Sequence, residues 1–200
     1  MLNFDNLPNF TPSNQNQTDI TQAPPIPNPY HHFTFSDGYV YAPDPKVPYE
    51  PISEPHLAVF VGNGTGMRAT QARNTIEDGE FANGPYQAGS PFWFDAYSAW
   101  FGCDNEGPEV CTLVMNGYTY SAEEDDEVLS FTQNATVEGC PGFRDCELKK
   151  IEFPQTFKRL SGVQIQAFVG EEERMFFMDD VAMRWSDDSC AAGLARQRAQ

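Results

Sequence analysis

Residues 174–185 run Arg174-Met175-Phe176-Phe177-Met178-Asp179-Asp180-Val181-Ala182-Met183-Arg184-Trp185, an acidic pair set inside an apolar alternation. Strict alternation puts Phe176, Met178, Asp180, Ala182 and Arg184 on one face of a strand. Met175, Phe177, Asp179, Val181, Met183 and Trp185 take the other. A carboxylate in so apolar a strand needs a cation, a set of hydrogen-bond donors or a metal. The chemistry within reach is coordination of a hard cation by oxygen, or the capping of an irregular backbone, with Arg174 or Arg184 as pairing partners.

The remaining chemistry-bearing residues are cysteines, histidines and aromatics. Cys103 and Cys111 enclose seven residues, Cys140 and Cys146 enclose five, and Cys190 is left over. Local disulfides across loop ends are the simple reading, though spacing alone does not fix the pairing, and Cys190 either stays free or pairs outside this stretch. Zinc would need Cys-x₂₋₄-Cys spacing, which is missing. His31 and His32 are adjacent, so in a strand they would face opposite ways and not share a metal. Tyr30, Tyr39, Tyr41, Tyr49 and Tyr86 lie in Pro- and Gly-rich stretches, where binding residues concentrate, and are the candidates for stacking on sugar faces. Trp93, Trp100 and Trp185 lie in strand-like segments and are expected in the core. No Gly-x-Ser-x-Gly elbow, no His-Glu-x-x-His and no phosphate-cradling loop is present. A glycosidase carboxylate pair is always available among 29 acidic residues, so it discriminates nothing.

These residues need a scaffold, and the pattern of strands and turns describes one. Strand-like runs occur at His56–Val61, Pro91–Phe101, Val110–Tyr118, Val128–Asn134, Glu147–Phe153, Gly162–Val169 and Met175–Trp185, with shorter pieces at His32–Phe35 and Tyr39–Tyr41. Joints such as Ser36-Asp37-Gly38 and Asn83-Gly84-Pro85 separate them, and no helical stripe is visible. This predicts an all-β jelly-roll sandwich with a Pro-rich N-terminal arm. We expect residues 1–30 to form a first strand and a Pro/Asn-rich arm, 31–190 the sandwich, and 191–200 a tail or linker. The acid runs Glu123–Glu127 and Glu171–Glu173 are expected in solvated hairpin loops.

The net charge of −17 argues against nucleic-acid partners, which are held through Lys and Arg on phosphates. No apolar run approaches the ~20 residues of a membrane span. The chain opens without a basic, then apolar, leader. Yet the close cysteine pairs and four Asn-x-Ser/Thr sequons, at Asn9, Asn16, Asn63 and Asn134, point to an extracellular or cell-wall location and to a piece of a larger secreted protein.

Four segments in order, Phe4-Asp5-Asn6-Leu7-Pro8, Pro29-Tyr30-His31-His32-Phe33-Thr34-Phe35, Ser98-Ala99-Trp100-Phe101-Gly102 and Met178-Asp179-Asp180-Val181, resemble a group of secreted jelly-roll domains of unknown function from fungal extracellular proteins. The resemblance spans most of residues 1–190. It implies a sandwich like those of galactose-binding domains and carbohydrate-binding modules. It also implies a structural Ca²⁺ between the first strand and the Asp-Asp strand, with Asp5 and Asp180 as ligands and Asp179 as the alternative. Carbonyls would have to complete the six to eight oxygens that calcium takes.

The leading expectation is a secreted, non-catalytic module that binds a polysaccharide or other glycan. A structural or protein-interaction domain of a surface or effector protein is the second reading, and a glycan-cleaving β-sandwich enzyme the third.

Overall fold

The computed structural model describes residues 1–9, 23–43, 48–62 and 78–199. The sequons at Asn16 and Asn63 lie outside the described residues, as does most of the Pro-rich arm.

Two antiparallel sheets face one another. One is formed by β1 (Thr34–Phe35), β4 (Glu80–Ala82), β9 (Gly162–Val169), β6 (Cys111–Ser121) and β7 (Asp126–Val137) in that order, with β10 (Glu172–Arg174) also on β9. The other runs β2 (Tyr39–Pro43), β3 (His56–Phe60), β11 (Phe176–Trp185), β5 (Phe94–Cys103), β8 (Lys149–Glu152). This is the jelly-roll β-sandwich predicted from the strand pattern. Gly162–Val169 is a strand over the predicted residues, and Asn116-Gly117, a dipeptide common in turns, lies inside β6. The acid run at 123–127 spans the β6–β7 hairpin turn and the start of β7. Glu172 and Glu173, expected in a loop, pair with β9 instead.

Between the sheets lie Phe35, Phe81, Leu113, Met115, Val163 and Ile165 from one side, and Tyr39, Phe60, Phe94, Phe101, Phe176 and Met178 from the other. The N-terminal residues join this core. Phe4 is fully buried, and Leu2 exchanges both backbone hydrogen bonds with Val181 at 2.8 and 2.9 Å.

Two adjacent bulges break the strict alternation expected for β5 and β11. On β5, Phe94 and Ala96 face the core, and so do Ala99, Phe101 and Cys103. Tyr97 is the additional residue, because Ser98 pairs with Ala182 while Ala96 pairs with Met183. On β11 the register jumps from Asp179–Trp100 to Ala182–Ser98, and Asp180 adopts φ 46°. Phe176 and Met178 therefore point inward with Val181, and Met183 and Trp185 pack on the same core. A bulge inserts one residue and reverses the phase of everything after it, which periodicity alone does not reveal.

A second apolar cluster covers one end of the outer face of the β2–β8 sheet. It joins Val40, Leu57, Val59 and Phe177 to Tyr49 and to the Cys140–Cys146 loop, with Trp100 against it. The stretch expected as a tail or linker, 191–200, largely belongs to a helix, α1 (Cys190–Arg198). Ser189 caps it, accepting from Ala192 N at 3.2 Å. Arg196 ties the helix down, with its guanidinium 4.9 Å from the Trp185 ring and donating to Asp187 O at 3.1 Å and to Pro91 O.

Candidate functional site

The β11 bulge gathers the acidic residues. Asp179 is fully buried, and its carboxylate accepts from Ile52 N (2.7 Å), Ser53 N (3.1 Å) and Asp180 N (2.7 Å). Burial pushes its pKa up to about 6, although the N–H donors of Ser53, Asp180 and Ile52 oppose this. Both of its oxygens thus hold the loop before β3 and the bulge itself. Asp179 is an anchor: its Oδ2 accepts from Ile52 N and Ser53 N and its Oδ1 from Asp180 N. Asp5 and Asp180 meet on the opposite side, where Ser53 Oγ lies 3.2 Å from Asp5 Oδ1 and 2.9 Å from Asp180 Oδ1. One hydroxyl carries one proton and serves one carboxylate, so the pair retains an unmet acceptor. Asn3 Nδ2 donates to the other Asp5 oxygen at 2.7 Å. These are hard oxygen donors of the kind Ca²⁺ takes, and they fit the expected ion in type while falling short of its usual number.

The N-terminal segment held by Asp5 forms one wall of a cleft of about 610 Å³, lined by Asn6, Tyr30, His31, His32, Asn83 and Tyr86. His31 and His32 are the central residues of a two-residue turn. Tyr30 N donates to Phe33 O at 2.8 Å and Phe33 N to Tyr30 O at 2.9 Å. Both turn residues have positive φ, 49° and 72°, as a tight hairpin turn with right-handed strand twist requires. Asn-Gly ordinarily fills such a turn. Two histidines there put backbone strain into the cleft wall, a feature that concentrates at functional sites. His31 and His32 occupy a turn rather than the expected strand, and both line the cleft, His31 against the Tyr30 ring and His32 against Phe92 and Trp185. Burial holds both imidazoles below their ordinary pKa, helped by the N-terminal charge at His31 and by Arg196 at His32.

On the opposite wall, Asn83 precedes a 3₁₀ turn over Gly84–Tyr86. Its side chain is 1% exposed, and neither its Nδ2 nor its Oδ1 has a hydrogen-bond partner among the described residues. An amide buried without partners costs about 1–3 kcal/mol per group. Tyr86 stands at the mouth, 38% exposed, stacked on Phe92 with ring centroids 4.5 Å apart. A smaller groove of about 380 Å³ continues on the far side of the two histidines toward Met183, Arg184 and Trp185.

Residues 1–196 match a family described as "Domain of unknown function (DUF7371)". The chain belongs to this family. No curated protein matches it. Among solved structures, the chain is similar to the CBM22-1–GH10 modules of the endo-1,4-β-D-xylanase 10B (Xyn10B) of Clostridium thermocellum, complexed with xylohexaose. That likeness has 16% identity and a TM-score of 0.38, and it covers 76% of this chain and 26% of that one.

The DUF7371 fold places the other expected site residues as follows. Tyr39, Tyr41 and Tyr49 are buried, and their hydroxyls donate to Gly79 O (2.8 Å), Pro8 O (2.8 Å) and Cys103 O (3.0 Å). These rings fasten loops to the sandwich and offer no face to a sugar. Tyr30 is also buried. It donates to Asn3 O at 2.6 Å and also contacts Asn6 Oδ1, and burial followed by the Asp5 charge pushes its pKa up to about 12. Only Tyr86 of the five keeps an exposed ring. Disulfides join Cys103 to Cys111 and Cys140 to Cys146, and Cys190 is free and exposed on α1. The sequon residues Asn9 and Asn134 are exposed. Among the described residues no helix is long and apolar enough to cross a membrane. Asn83 and Asn6 were missed by sequence reasoning. Their one visible signal was position, Asn83 opening a Gly-Pro turn.

Proposed function

We propose that this domain is a non-catalytic glycan-binding module of an extracellular or cell-wall protein, and that the cleft between the Tyr30–Phe33 turn and the Asn83–Tyr86 turn is its binding site. The observation that carries this reading is the Asn83 amide, buried and unpartnered at the foot of a cleft with an exposed tyrosine at its mouth. A sugar ring offers an apolar C–H face for Tyr86 and hydroxyls that both donate and accept for Asn83, Asn6 and the neutral histidines. The two disulfides are compatible with an oxidising compartment. In this reading Asp5 and Asp180, with Ser53 between them, hold a structural Ca²⁺ that fixes the N-terminal wall of the cleft.

The test is retention of the purified domain on chitin, β-glucans, cellulose, xylan, mannan and pectins. Tyr86→Ala and Asn83→Ala should weaken retention while the melting profile stays cooperative, and no sugar products should be released. Equal retention of wild type and both variants would overturn the assignment of the cleft. Release of reducing or unsaturated sugars would replace the binding module by an enzyme.

A further inference from the structure

Beyond the covered end of its sheet, the outer face of β5 carries a basic patch on an otherwise acidic molecule. The chain has 12 Lys and Arg against 29 Asp and Glu, yet Lys158, Arg159 and Arg184 collect around a single buried carboxylate, Asp95. The bulged strand arranges them. Arg184 on β11 stands opposite Asp95 on β5, and the segment at 157–160 runs along the other side of β5, with Leu160 and Phe94 exchanging hydrogen bonds at 2.8 and 3.0 Å.

Aromatic faces hold the cations in place. Lys158 Nζ is 3.9 Å from the Tyr97 ring centre, the Arg184 guanidinium is 5.6 Å from the same ring, and the Arg159 guanidinium is 4.9 Å from Trp93. Trp93 is itself fixed by donation from Nε1 to Gln87 O at 2.7 Å. Asp95 answers only part of this charge. Its oxygens accept from Ser186 Oγ (2.6 Å) and Arg159 N (3.1 Å), and they lie 3.4 Å from Lys158 Nζ and 3.5 Å from Arg184. The Arg159 guanidinium is exposed and has no carboxylate partner among the described residues. Glu152, on the next strand, is engaged by Lys150 at 2.7 Å. Asp188 bounds the patch on the side of the small groove, where it and Arg184 are both wall residues.

We propose that Lys158, Arg159 and Arg184 form an anion-binding surface for the carboxylates of an acidic polysaccharide, a polyuronate. This deepens the glycan-binding reading and rests on it. Cations pre-oriented by ring stacking lose little freedom on pairing, and planar guanidinium groups match carboxylate geometry. The net charge of −17 opposes the approach of a polyanion to most of the surface, so the patch favours one docking orientation. Arg184 also lines the groove beside His31 and His32, so a chain crossing the patch continues toward the cleft.

The test compares retention on polygalacturonate, on its methyl ester and on a neutral β-glucan, at low and high salt. The wild-type domain should prefer polygalacturonate, lose it with salt, and lose about tenfold or more in affinity in Arg159→Gln/Arg184→Gln, as expected when charge-assisted bonds are removed. The neutral glycan should be insensitive to that variant. Neutral glycan bound through Tyr86 with no preference for polygalacturonate would overturn the patch and leave the cleft standing. Salt-sensitive polygalacturonate binding that needs Arg159 and Arg184 but ignores Tyr86 and Asn83 would overturn the cleft and leave the patch standing. Equal binding of the free acid and its methyl ester also overturns the patch.

Discussion

Tyr86 stacks on Phe92 with planes 15° apart, and the half-exposed tyrosine lines the same cleft as the buried Asn83. The two residues make opposite predictions for stability. Tyr86→Ala removes an exposed ring and should lower the melting temperature little while weakening glycan retention. Asn83→Leu replaces an unpartnered buried amide by an apolar group of similar size. It should raise stability by about 1–3 kcal/mol and abolish binding. A destabilised Asn83→Leu domain in urea unfolding would mean that the amide is satisfied in solution.

Gly102 has a different neighbour. A Cβ there would stand 2.6 Å from Cε1 and Cζ of Tyr49, whose hydroxyl also accepts from Cys103 N at 3.2 Å. Gly102→Ala should cost about 1–3 kcal/mol through overpacking, and Tyr49→Ala in the same background should relieve that increment. Strict additivity of the two changes in denaturant unfolding would show that they do not touch.

The three histidines set an acid limit. Burial holds His31, His32 and His56 below their ordinary 6.5, at His56 in spite of the nearby Asp5 charge and the Phe4 and Asp5 carbonyls. The unfolded chain then binds more protons than the folded one as the pH drops below 6.5, so stability falls in that range. The slope is up to about 1.4 kcal/mol per pH unit for each histidine. Asp179 acts in the opposite sense, since a carboxyl raised to about 6 from 3.8 adds stability as the pH falls through that window. Comparing wild type with His56→Phe separates them. The variant should lose less stability between neutral pH and pH ~5, and an unchanged slope would remove His56 from the account.

Metal dependence has its own signature. If Asp5, Ser53 and Asp180 hold Ca²⁺, EDTA should lower the melting temperature and added calcium restore it, while Asp180→Asn should be indifferent to both. A wild-type melting curve unchanged by EDTA and by millimolar calcium would remove the ion from the reading.

The disulfides are local staples. Losing the Cys103–Cys111 bridge in a paired Cys→Ala variant should cost about 2–3 kcal/mol, for a loop of sequence separation 8. An unchanged urea midpoint would show that the bridge adds no stability.

The sandwich was legible in the sequence because each strand carries its own evidence. A period-two apolar pattern bounded by Gly and Pro turns is a local property, and so are the short cysteine loops and the need of Asp179 for partners. What the sequence could not state is which side chains a fold leaves uncovered. Tyr39, Tyr41 and Tyr49 have the composition of binding residues, yet Gly79, the N-terminal segment and Cys103 respectively claim their hydroxyls across 40, 33 and 54 residues. The β5 and β11 bulges depend on pairing between strands, so the face of each residue beyond Tyr97 or Asp180 is set by its neighbour's register. Asn83 and the His31–His32 turn meet across the cleft, and Lys158, Arg159 and Arg184 meet across a bulged strand. Burial, register and cation–ring stacking arise only when distant segments pack, so tertiary structure alone decided which of these side chains meet.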